Sequence, residues 1–513
     1  SVFFFSFTLK INFITNNMDW KKLQNGSDIR GVALEGVPGE SVNITPEVTS
    51  IIAKAFITWL GKHTNAEVVS IAIGTDSRLS GPTLKQAFID GAVECGITIY
   101  DCGLASTPAM FMTTVDEECP VTGGVMITAS HLPFNRNGIK FFTDKGGLEK
   151  ADIAEILDIA SRSELPASKE GGKCVAYDFM TRYKAHLVNY IRSEVKADDY
   201  DKPLEGLHII VDAGNGDGGF FVDVLEELGA NTTGSQFTDP DGHFPNHIPN
   251  PEDKKAMASI CQAVVKSHAD LGIIFDTDVD RSAIVDRHGD PINRNSLIAL
   301  IAAVILKEHP GSTVVTDSVT SDGLAEFIKQ QGGRHHRFKR GYKNVIDEGI
   351  RLNKSGEECW LAIETSGHCA LRENYFLDDG AFLVAKLIVQ AARLRKQGKE
   401  LQDLIATLRQ PAESIEIRFK VNADNVQEYG QSVLDKVSDA ASAVDGWEIV
   451  KPNYEGIRVS CTNSDERGWF LLRKSLHDPV LPLNIESDVK GGTDVIRQKL
   501  FDILKPFSKL SVM

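Results

Sequence analysis

The chain has 513 residues, of which 42% are hydrophobic and 25% are charged, proportions that are usual for a soluble globular protein. At roughly 150 residues per domain, this length predicts three or four domains. The net charge of −16 excludes a general attraction to nucleic acid or to an anionic membrane, and we predict neither as a partner.

Residues 1–17, SVFFFSFTLKINFITNN, differ in character from the rest of the chain. Their apolar part is too short to span a bilayer. Their basic residue, Lys10, follows the apolar stretch, whereas a signal peptide carries its positive charge first. We interpret 1–23 as an extension that is disordered or artefactual, and we expect that a targeting sequence is missing in front of it.

Eight cysteines are scattered along the chain, without a CxxC pair or a Cys/His cluster of the zinc type. We predict mostly buried, reduced thiols and hence a reducing compartment. The eight are Cys95, Cys102, Cys119, Cys174, Cys261, Cys359, Cys369 and Cys461.

Three segments repeat one order of features: an apolar run, a polar turn, a helical stretch, a glycine and a second apolar run. This order is typical of a βαβ unit and predicts three α/β domains. The first runs are VVSIAIGTDSR (68–78), GLHIIVDAGNG (206–216) and STVVTDSVTSDG (312–323), and the second are ITIY, ANTTGSQF and RHHRFK.

The last hundred residues contain short runs rich in β-branched and aromatic residues, such as SIEIRFKV and GWFLLRKS, around one helical stretch. This pattern predicts an α+β domain. Polar stretches at 196–203, 307–312 and 408–414 suggest the domain boundaries. The predicted domains are 24–203, 204–309 and 310–411, each α/β, and the α+β domain 412–513.

The stretch GGVMITASHLPFNRNGIKFF (123–142) places Ser130 after an apolar, strand-like run and before a polar turn. A lone serine at such a place is usually a turn residue. His131 is its direct neighbour in sequence, which disfavours a triad-like geometry. A serine that carries a phosphoryl group is the alternative, with Lys140 supplying positive charge or a proton.

The stretch LGIIFDTDVDRSAIVD (271–286) brings Asp276, Asp278 and Asp280 into one turn after an apolar run. Crowded carboxylates repel one another unless a cation lies among them, and hard oxygen ligands favour Mg²⁺. An EF-hand is excluded, because its sixth and twelfth positions would be Arg281 and Arg287. An aspartyl-phosphate nucleophile and a solvated acidic turn remain alternatives.

Two further stretches place polar side chains at the end of apolar runs. In AIETSGHCALRENYFLDDGAF (362–382), Glu364 and Ser366 offer an acceptor and a donor that suit neighbouring sugar hydroxyls, although a capped turn is the simpler interpretation. In FLLRKSLHDPVLPLNIES (470–487), Arg473 and Ser475 suit a phosphate monoester, although a solvated strand end explains them equally well.

Taken in order, these stretches resemble the loops of the α-D-phosphohexomutase superfamily over nearly the whole chain from about residue 24. TASHLPFNRNGIKFF resembles the phosphoserine loop, FDTDVDR the metal loop, ETSGH the sugar loop and RKSLHDP the phosphate loop. ETSGH followed by ENYFLDDG is most similar to the phosphomannomutase/phosphoglucomutase branch. Further landmarks are GSDIRG (26–31), GTDSRLSG (74–81), DPDGHFPNHIPNPE (239–252) and RGYK (340–343).

The resemblance implies four domains around a central cleft, namely three α/β domains and a C-terminal α+β domain. It implies an isomerase that interconverts hexose 1-phosphate and hexose 6-phosphate of glucose or mannose, with Mg²⁺ as cofactor and a hexose 1,6-bisphosphate as intermediate and activator. The implied catalytic residues are Ser130, Arg30, His131 and Lys140, and the implied metal ligands are Ser130, Asp276, Asp278 and Asp280. The implied substrate-binding residues are Arg281, Gly341, Lys343, Glu364, Ser366, His368, Arg473 and Ser475.

The chain departs from the family pattern at two places. Leu132 stands where the family usually has Asn, and in the phosphate loop Leu476-His477-Asp478 replaces Gly-Thr-Glu while Pro482 replaces an Arg. Plant members of the plastid type have a similar loop, which predicts the plastid stroma, with the cytoplasm as the alternative. Sugar phosphates are the expected partners of a monomer or weak dimer.

Three other functions stay open. Two are enzymes, a phosphoglucosamine mutase and a hexose 1,6-bisphosphate synthase. The third is a catalytically impaired paralogue that binds sugar phosphates. The intact Ser130 and the three aspartates argue against impairment, whereas the altered phosphate loop argues for it.

Overall fold

The computed structural model describes residues 18–64, 70–118, 120–475 and 478–513. The chain forms two compact units. The first unit runs up to Asn293 and includes Ser366–Leu401, and the second unit comprises Arg294–Thr365 and Gln402–Met513.

The helices and strands alternate along most of the chain. The α-helices are α1 (Pro46–His63), α2 (Gly81–Val93), α3 (Thr107–Val115), α4 (Lys150–Ser161), α5 (Phe179–Val195), α6 (Phe220–Glu227), α7 (Lys254–Ser267), α8 (Arg294–Glu308), α9 (Asp322–Gln330), α10 (Tyr342–Lys354), α11 (Gly380–Arg395), α12 (Val426–Ala441) and α13 (Gly492–Leu504). The strands are β1 (Gln24–Asn25), β2 (Asp28–Val32), β3 (Ser70–Thr75), β4 (Thr98–Leu104), β5 (Gly123–Ile127), β6 (Arg136–Thr143), β7 (Gly146–Gly147), β8 (Lys173–Ala176), β9 (Ile209–Asp212), β10 (Leu271–Phe275), β11 (Ser282–Asp286), β12 (Pro291–Ile292), β13 (Thr313–Thr316), β14 (Arg334–Arg337), β15 (Cys359–Ile363), β16 (Cys369–Leu371), β17 (Leu377–Asp378), β18 (Glu413–Val421), β19 (Trp447–Ile449), β20 (Ile457–Cys461), β21 (Gly468–Leu472), β22 (Val480–Ser487) and β23 (Leu510–Val512).

The largest sheet of the first unit has the order β1-β2-β6-β5-β3-β4-β8, with β7 beside β6. Strand β3 is parallel to β4 and β5, as expected for a βαβ unit, whereas β6 is antiparallel to β5. Strand β5 is buried along its whole length. A fully buried strand needs apolar residues on both faces, which explains why GGVMI is continuously apolar.

The start of the first unit differs from the prediction of an extension over residues 1–23. Residues 1–17 lie outside the described part of the chain. Trp20–Leu23 form a short 3₁₀-helix, and Trp20 and Leu23 are buried in the core with α1. The first domain therefore begins before residue 24. Burial of these two apolar side chains in the core removes them from water and stabilises this start of the domain.

The second sheet of the first unit has the order β12-β11-β10-β9. Strand β10 is parallel to β9 and antiparallel to β11, so that β10 and β11 form a hairpin. The predicted strand in ANTTGSQF is reduced to two isolated bridges, at Asn231 and Gln236. Its polar residues are held instead by side-chain hydrogen bonds, such as Ser235 Oγ to Thr232 O.

The segment Ser366–Leu401 adds an antiparallel hairpin, β16 and β17, and helix α11 to the first unit. Helix α11 packs on α5, where the rings of Tyr190 and Phe382 are 4.6 Å apart. Asp379 caps α11 by accepting a hydrogen bond from the backbone N–H of Phe382 at 2.9 Å.

The second unit contains two layers of different type. Strands β14, β13 and β15 are parallel, as the third βαβ pattern predicts. The C-terminal sheet is antiparallel, with the order β19-β20-β21-β22-β18-β23, and α12 and α13 cover it. Arg458 joins the two layers, because its guanidinium lies 3.7 Å from the Trp469 ring centroid and donates to Ser318 O at 3.1 Å.

Seven cysteines fall within the described residues and all are free thiols, of which Cys174 is exposed. Cys119 lies outside those residues. In the described ranges no helix has the length and apolar character needed to cross a membrane.

Candidate active site

Three aspartates lie close together in the loop that connects β10 to β11. Asp276, Asp278 and Asp280 are fully buried, and each has a carboxylate oxygen within 4.8 Å of the others. Val279, between two of them, has φ 67°, a left-handed conformation that is unusual for a β-branched residue. The turn is therefore strained, as is common where a loop must direct several side chains to one point.

Two cationic side chains neutralise part of this negative charge. Lys140 Nζ donates to Asp280 Oδ2 at 2.5 Å and to Asp278 Oδ2 at 3.1 Å. Arg281 Nε donates to Asp276 Oδ2 at 3.1 Å. Burial would raise the pKa of Asp280, but Lys140 and other nearby cations outweigh that effect and lower it. For Asp276, burial and the two neighbouring carboxylates raise the pKa well above its usual value.

The aspartate cluster also fits a divalent cation. The Oδ1 atoms of Asp278 and Asp280 are buried and have no hydrogen-bond partner among the described residues. A buried carboxylate oxygen without a partner is costly, and a hard cation such as Mg²⁺ would satisfy it. Ser130 offers a fourth oxygen, because its Oγ donates to Asp276 Oδ2 at 3.0 Å.

The loop between β5 and β6 brings Ser130 to the aspartates. Ser130 has φ 50° and is 3% exposed, so it is held in a left-handed conformation inside the protein. The Asn-Gly-Ile-Lys motif lies in the following strand, β6, where the glycine and the lysine have separate roles. A Cβ on Gly138 would lie 2.2 Å from Ile29 O of β2, so only glycine fits there. Lys140, two residues on, points to the same face of β6 as Gly138 and reaches the aspartates.

His131 is next to Ser130 but faces Arg281. Its Nδ1 lies 2.6 Å from Arg281 Nη2 and 3.3 Å from Ser130 Oγ. Burial, followed by the charges of Arg281 and Arg30, lowers the pKa of His131 to about 2. The ring is therefore neutral and accepts a hydrogen bond from the arginine, so Nδ1 does not serve as a base for Ser130.

His368 occupies the other side of the aspartate cluster. Its Nδ1 is 2.6 Å from Asp378 Oδ2 and 3.9 Å from Asp280 Oδ1. Burial would lower the pKa of His368, but the charges of Asp378 and Asp280 raise it to about 9. The residue is therefore a cation, and its backbone pairs with that of Arg281. Asp280, His368 and Asp378 form a second group with metal-ligand spacing.

The other predicted residues of the first unit are Arg30 and Ser366. Arg30 lies on β2 opposite Gly138, and its Nη2 is 3.0 Å from Asp28 Oδ2. Ser366 is 7% exposed and precedes Gly367, whose φ of 99° turns the chain toward Ser282.

The remaining predicted residues lie in the second unit. The backbone N–H of Gly341, at φ 116°, donates to Glu364 Oε1 at 2.6 Å, so the two are neighbours. Lys343 Nζ is 2.5 Å from Asp347 Oδ1 along α10.

Arg473 and Ser475 also belong to the second unit, at the end of β21. Arg473 is 6% exposed, and its Nη1 is 3.9 Å from Glu455 Oε1. Ser475 Oγ accepts a hydrogen bond from the backbone N–H of Asp478 at 3.3 Å. Leu476 and His477, two of the altered loop positions, lie outside the described residues.

Comparison with known proteins places the chain in a family. Models of the phosphoglucomutase/phosphomannomutase alpha/beta/alpha domains I, II and III match residues 21–166, 181–289 and 293–411. A phosphoglucomutase/phosphomannomutase of Thermococcus kodakarensis is 30% identical over 91% of this chain and 94% of its own length. The chain belongs to the phosphoglucomutase/phosphomannomutase family. It is therefore a member of the α-D-phosphohexomutase superfamily, and its activity is that of a hexose phosphate mutase, an isomerase.

Other family members agree with this assignment. A phosphoglucomutase of Neisseria meningitidis is 28% identical over 92% of this chain and 95% of its own length. The crystal structure of a phosphoglucomutase/phosphomannomutase family protein from Burkholderia thailandensis superposes with a TM-score of 0.78 at 25% identity. It covers 96% of this chain and 99% of its own, so the multidomain architecture is shared.

Three residues of this family member were missed as site residues by sequence reasoning. Thr107, at the start of α3, donates to Asp278 Oδ2 at 2.5 Å. Asp378 holds His368, and Arg78 binds the main chain of the Ser130 loop. Arg78 lies in GTDSRLSG and Asp378 in ENYFLDDG, both noted as landmarks, but neither stretch indicates what its side chain contacts.

Proposed function

We propose that Ser130 carries the phosphoryl group that this mutase moves between the 1- and 6-oxygens of a hexose phosphate. The observation that carries the proposal is the 3.0 Å hydrogen bond from Ser130 Oγ to Asp276, inside a cluster of three buried aspartates. A serine oxygen beside such a cluster is well placed for phosphoryl transfer, because that reaction depends on positioning and on balancing charge.

Each half of the reaction is one phosphoryl transfer. The bond from phosphorus to Ser130 Oγ breaks, a bond to the sugar hydroxyl oxygen forms, and the proton of that hydroxyl leaves to a base. The resulting hexose 1,6-bisphosphate then reorients in the site. Its other phosphoryl group returns to Ser130 Oγ, and the sugar oxygen that loses this group takes up a proton. Arg30 and Lys140 are the proposed groups for proton transfer.

Asp276, Asp278 and Asp280, together with Ser130, are the proposed holders of Mg²⁺. The bound ion would neutralise charge on the transferring phosphoryl group. Lys140 helps to hold these ligands in position, since it pairs with the carboxylates of Asp278 and Asp280.

Three further groups of residues are proposed to bind the substrate. Glu364 and Ser366 would bind sugar hydroxyls, while Arg473 and Ser475 would bind the phosphate that does not react. Gly341, Lys343, Arg281 and His368 complete the proposed set. We further propose glucose and mannose phosphates as substrates, a bisphosphate as activator, a monomer or weak dimer, and the plastid stroma as the compartment.

The test begins with the phosphoryl group itself. Wild-type protein incubated with Mg²⁺ and glucose 1,6-bisphosphate should gain one phosphoryl group by intact mass, and Ser130→Ala should gain none and lose turnover. Ser432→Ala, on the exposed side of α12, is the matched serine control and should behave as the wild type. Full activity of Ser130→Ala would refute the proposal.

The substrate is assigned in the same assay. Glucose, mannose and glucosamine 1-phosphates are compared with a catalytic amount of glucose 1,6-bisphosphate. A preference for glucosamine 1-phosphate would favour the phosphoglucosamine mutase alternative. Net formation of bisphosphate would favour a synthase, and binding without turnover would favour the impaired paralogue.

A further inference from the structure

The main chain of the Ser130 loop, residues 128–136, is held by two side chains that come from a different loop. Ser130 has φ 50°, and a residue other than glycine adopts this conformation only where its surroundings hold it. Because the direction of the Ser130 side chain follows from this backbone conformation, whatever holds the loop also aims the Oγ atom.

Arg78 holds the carbonyl side of the loop. Its guanidinium is 1% exposed and lies in the loop that follows β3. Both Nη atoms donate to main-chain carbonyl oxygens of the Ser130 loop. The four acceptors are Ser130 O, Leu132 O at 2.6 Å, Pro133 O at 2.8 Å and Arg136 O at 3.0 Å.

Asp76 and Thr128 hold the N–H side of the same loop. The backbone N–H of Ser130 donates to Thr128 Oγ1 at 2.9 Å, and that hydroxyl donates to Asp76 Oδ2 at 2.6 Å. Asp76 is joined to Arg78 in turn, because its Oδ1 accepts from the Arg78 backbone N–H at 3.0 Å. Both polar groups of the Ser130 peptide backbone thus end on one Asp76–Arg78 pair.

The arrangement is more specific than a buried salt bridge requires. A pair that served only to neutralise charge would not need four carbonyl acceptors from one loop, and burying an arginine carries a large desolvation cost. The planar guanidinium, with its fixed fork of donors, can set the relative positions of several carbonyls at once, which a lysine ammonium cannot do.

We infer that Arg78 is a positioning residue for phosphoryl transfer, which acts by fixing the backbone of Ser130 so that Oγ faces the aspartate cluster. This inference rests on the proposed role of Ser130 as phosphoryl carrier. Arg78 touches the loop and not the reacting atoms, so its loss should impair the transfer step more than substrate binding.

The experiment measures Ser130 phosphorylation directly. Wild type and Arg78→Lys are mixed with Mg²⁺ and glucose 1,6-bisphosphate, and the phosphoryl adduct is followed by intact mass against time. We expect the phosphorylation rate and kcat of Arg78→Lys to fall about 100-fold, since a displacement of about 1 Å costs that much, while KM changes less than about threefold.

Two further variants separate positioning from stability. Arg458→Lys removes another fully buried arginine that donates to main-chain carbonyls, in the second unit, and it should lower the melting temperature without slowing Ser130 phosphorylation. Thr128→Val removes the hydroxyl that links the Ser130 N–H to Asp76 and leaves the contacts of Arg78 in place. It should slow phosphorylation about tenfold, because the buried Ser130 N–H is left unsatisfied.

The outcomes distinguish this inference from the proposed function. If wild type is phosphorylated and Arg78→Lys reacts at the same rate, the positioning role is refuted and the function of Ser130 stands. If wild type takes up no phosphoryl group and Ser130→Ala still turns over, the proposed function fails. If Arg78→Lys does not fold, Thr128→Val decides instead. Phosphorylation of Ser130 in Thr128→Val at the wild-type rate would overturn the inference.

Discussion

Arg281 donates a hydrogen bond from Nη2 to Nδ1 of His131 over 2.6 Å, so the histidine next to Ser130 is an acceptor for an arginine. The same arginine donates to Asp276 through Nε, at 3.1 Å. His131 therefore helps to hold a cation beside the aspartates. This arrangement explains why the pKa of His131 is lowered to about 2, chiefly by burial and then by the charge of Arg281.

The first prediction follows from this contact. His131→Gln keeps an acceptor for Arg281, and we expect its kcat to stay within about tenfold of the wild type. His131→Leu leaves the arginine donor unsatisfied, at a cost of about 1–3 kcal/mol, and should lower kcat about tenfold or more. Both values come from steady-state kinetics. A loss of activity in His131→Gln as deep as in Ser130→Ala would show that the imidazole itself transfers the proton.

The second prediction concerns the neighbouring carboxylates of Asp378 and Asp379, which have different partners. Asp378 contacts His368, whereas Asp379 accepts from Tyr183 OH at 2.7 Å and caps α11. Asp378→Asn removes the charge that orients His368, and we expect kcat to fall with little change in the free energy of unfolding. Asp379→Ala should do the reverse and cost about 1–2 kcal/mol of stability through the lost cap.

The two variants control for each other, since both changes remove one carboxylate and the two positions are adjacent in the chain. Activity is followed by steady-state kinetics and stability by thermal and urea unfolding. Equal effects of the two substitutions on kcat would contradict the separation. Such a result would mean that the turn acts as one structural element.

The third prediction is a dependence of stability on pH that arises at His335. Desolvation of the ring, with the charges of Arg337 and Arg458, holds the pKa of His335 well below its usual value. In the unfolded chain the same ring binds a proton below about pH 6.5. The unfolded state therefore binds more protons than the folded state, so this residue makes stability fall as the pH drops below about 6.5.

His335→Gln removes this contribution and can keep the hydrogen bond to Thr316 Oγ1, now 2.8 Å from the ring. We expect the stability of the variant to decline less between about pH 6.5 and pH 5, with a difference of at most about 1.4 kcal/mol per pH unit. Urea unfolding at several pH values measures it, with the exposed His288→Gln as control. An unchanged slope would show that His335 is not neutral in the fold.

The predictable part of the site consists of residues with a local signal. Ser130 and Asp276 each follow an apolar run, so their place at the end of a buried strand could be inferred from the sequence alone. Arg78 gives no such signal, because its acceptors are main-chain carbonyls 52 to 58 residues away. Main-chain acceptors leave no trace in side-chain identity.

The left-handed Val279 is a second case of this kind. Its β-branched side chain argues against positive φ, and the packing around the aspartate loop between β10 and β11 imposes that conformation. The strand predicted in ANTTGSQF (230–237) shows the same limit, since only two isolated bridges form there and the sequence pattern could not show that the rest of the segment is irregular. Local propensity is overridden where tertiary contacts supply more free energy.

The fourth prediction tests the aspartate cluster as a cation site. Asp278→Asn keeps the acceptor for Thr107 but removes a charge. We expect calorimetry to show weaker Mg²⁺ binding. We also expect kcat to fall more than about 100-fold, which is the upper range for substituting a residue that contacts a metal ligand instead of the metal itself. Asp286→Asn, in the same hairpin but outside the cluster, is the control. Full activity of EDTA-treated protein would contradict the proposed metal dependence.

The last prediction concerns the proposed phosphate site at Arg473 in the second unit. Glu455 lies 3.9 Å from Arg473, and its other oxygen accepts from the Arg340 N–H at 3.1 Å and from Ser318 Oγ. A phosphate bound at Arg473 would therefore meet a nearby carboxylate. The altered loop, with Pro482 in place of an arginine, offers no second guanidinium at that position to offset the repulsion.

Glu455→Gln keeps an oxygen acceptor for Ser318 and Arg340 but removes its charge, so the buried guanidinium of Arg473 loses one of its counter-ions. An under-neutralised buried cation binds an incoming anion more tightly. We therefore expect KM for glucose 1-phosphate to fall about threefold to tenfold, since ~1.4 kcal/mol corresponds to tenfold. Pro482→Arg should also lower KM. Arg473→Ala should raise KM, both in the wild type and in the Glu455→Gln variant. If Glu455→Gln instead raises KM as Arg473→Ala does, the carboxylate orients the arginine for phosphate and does not compete with it.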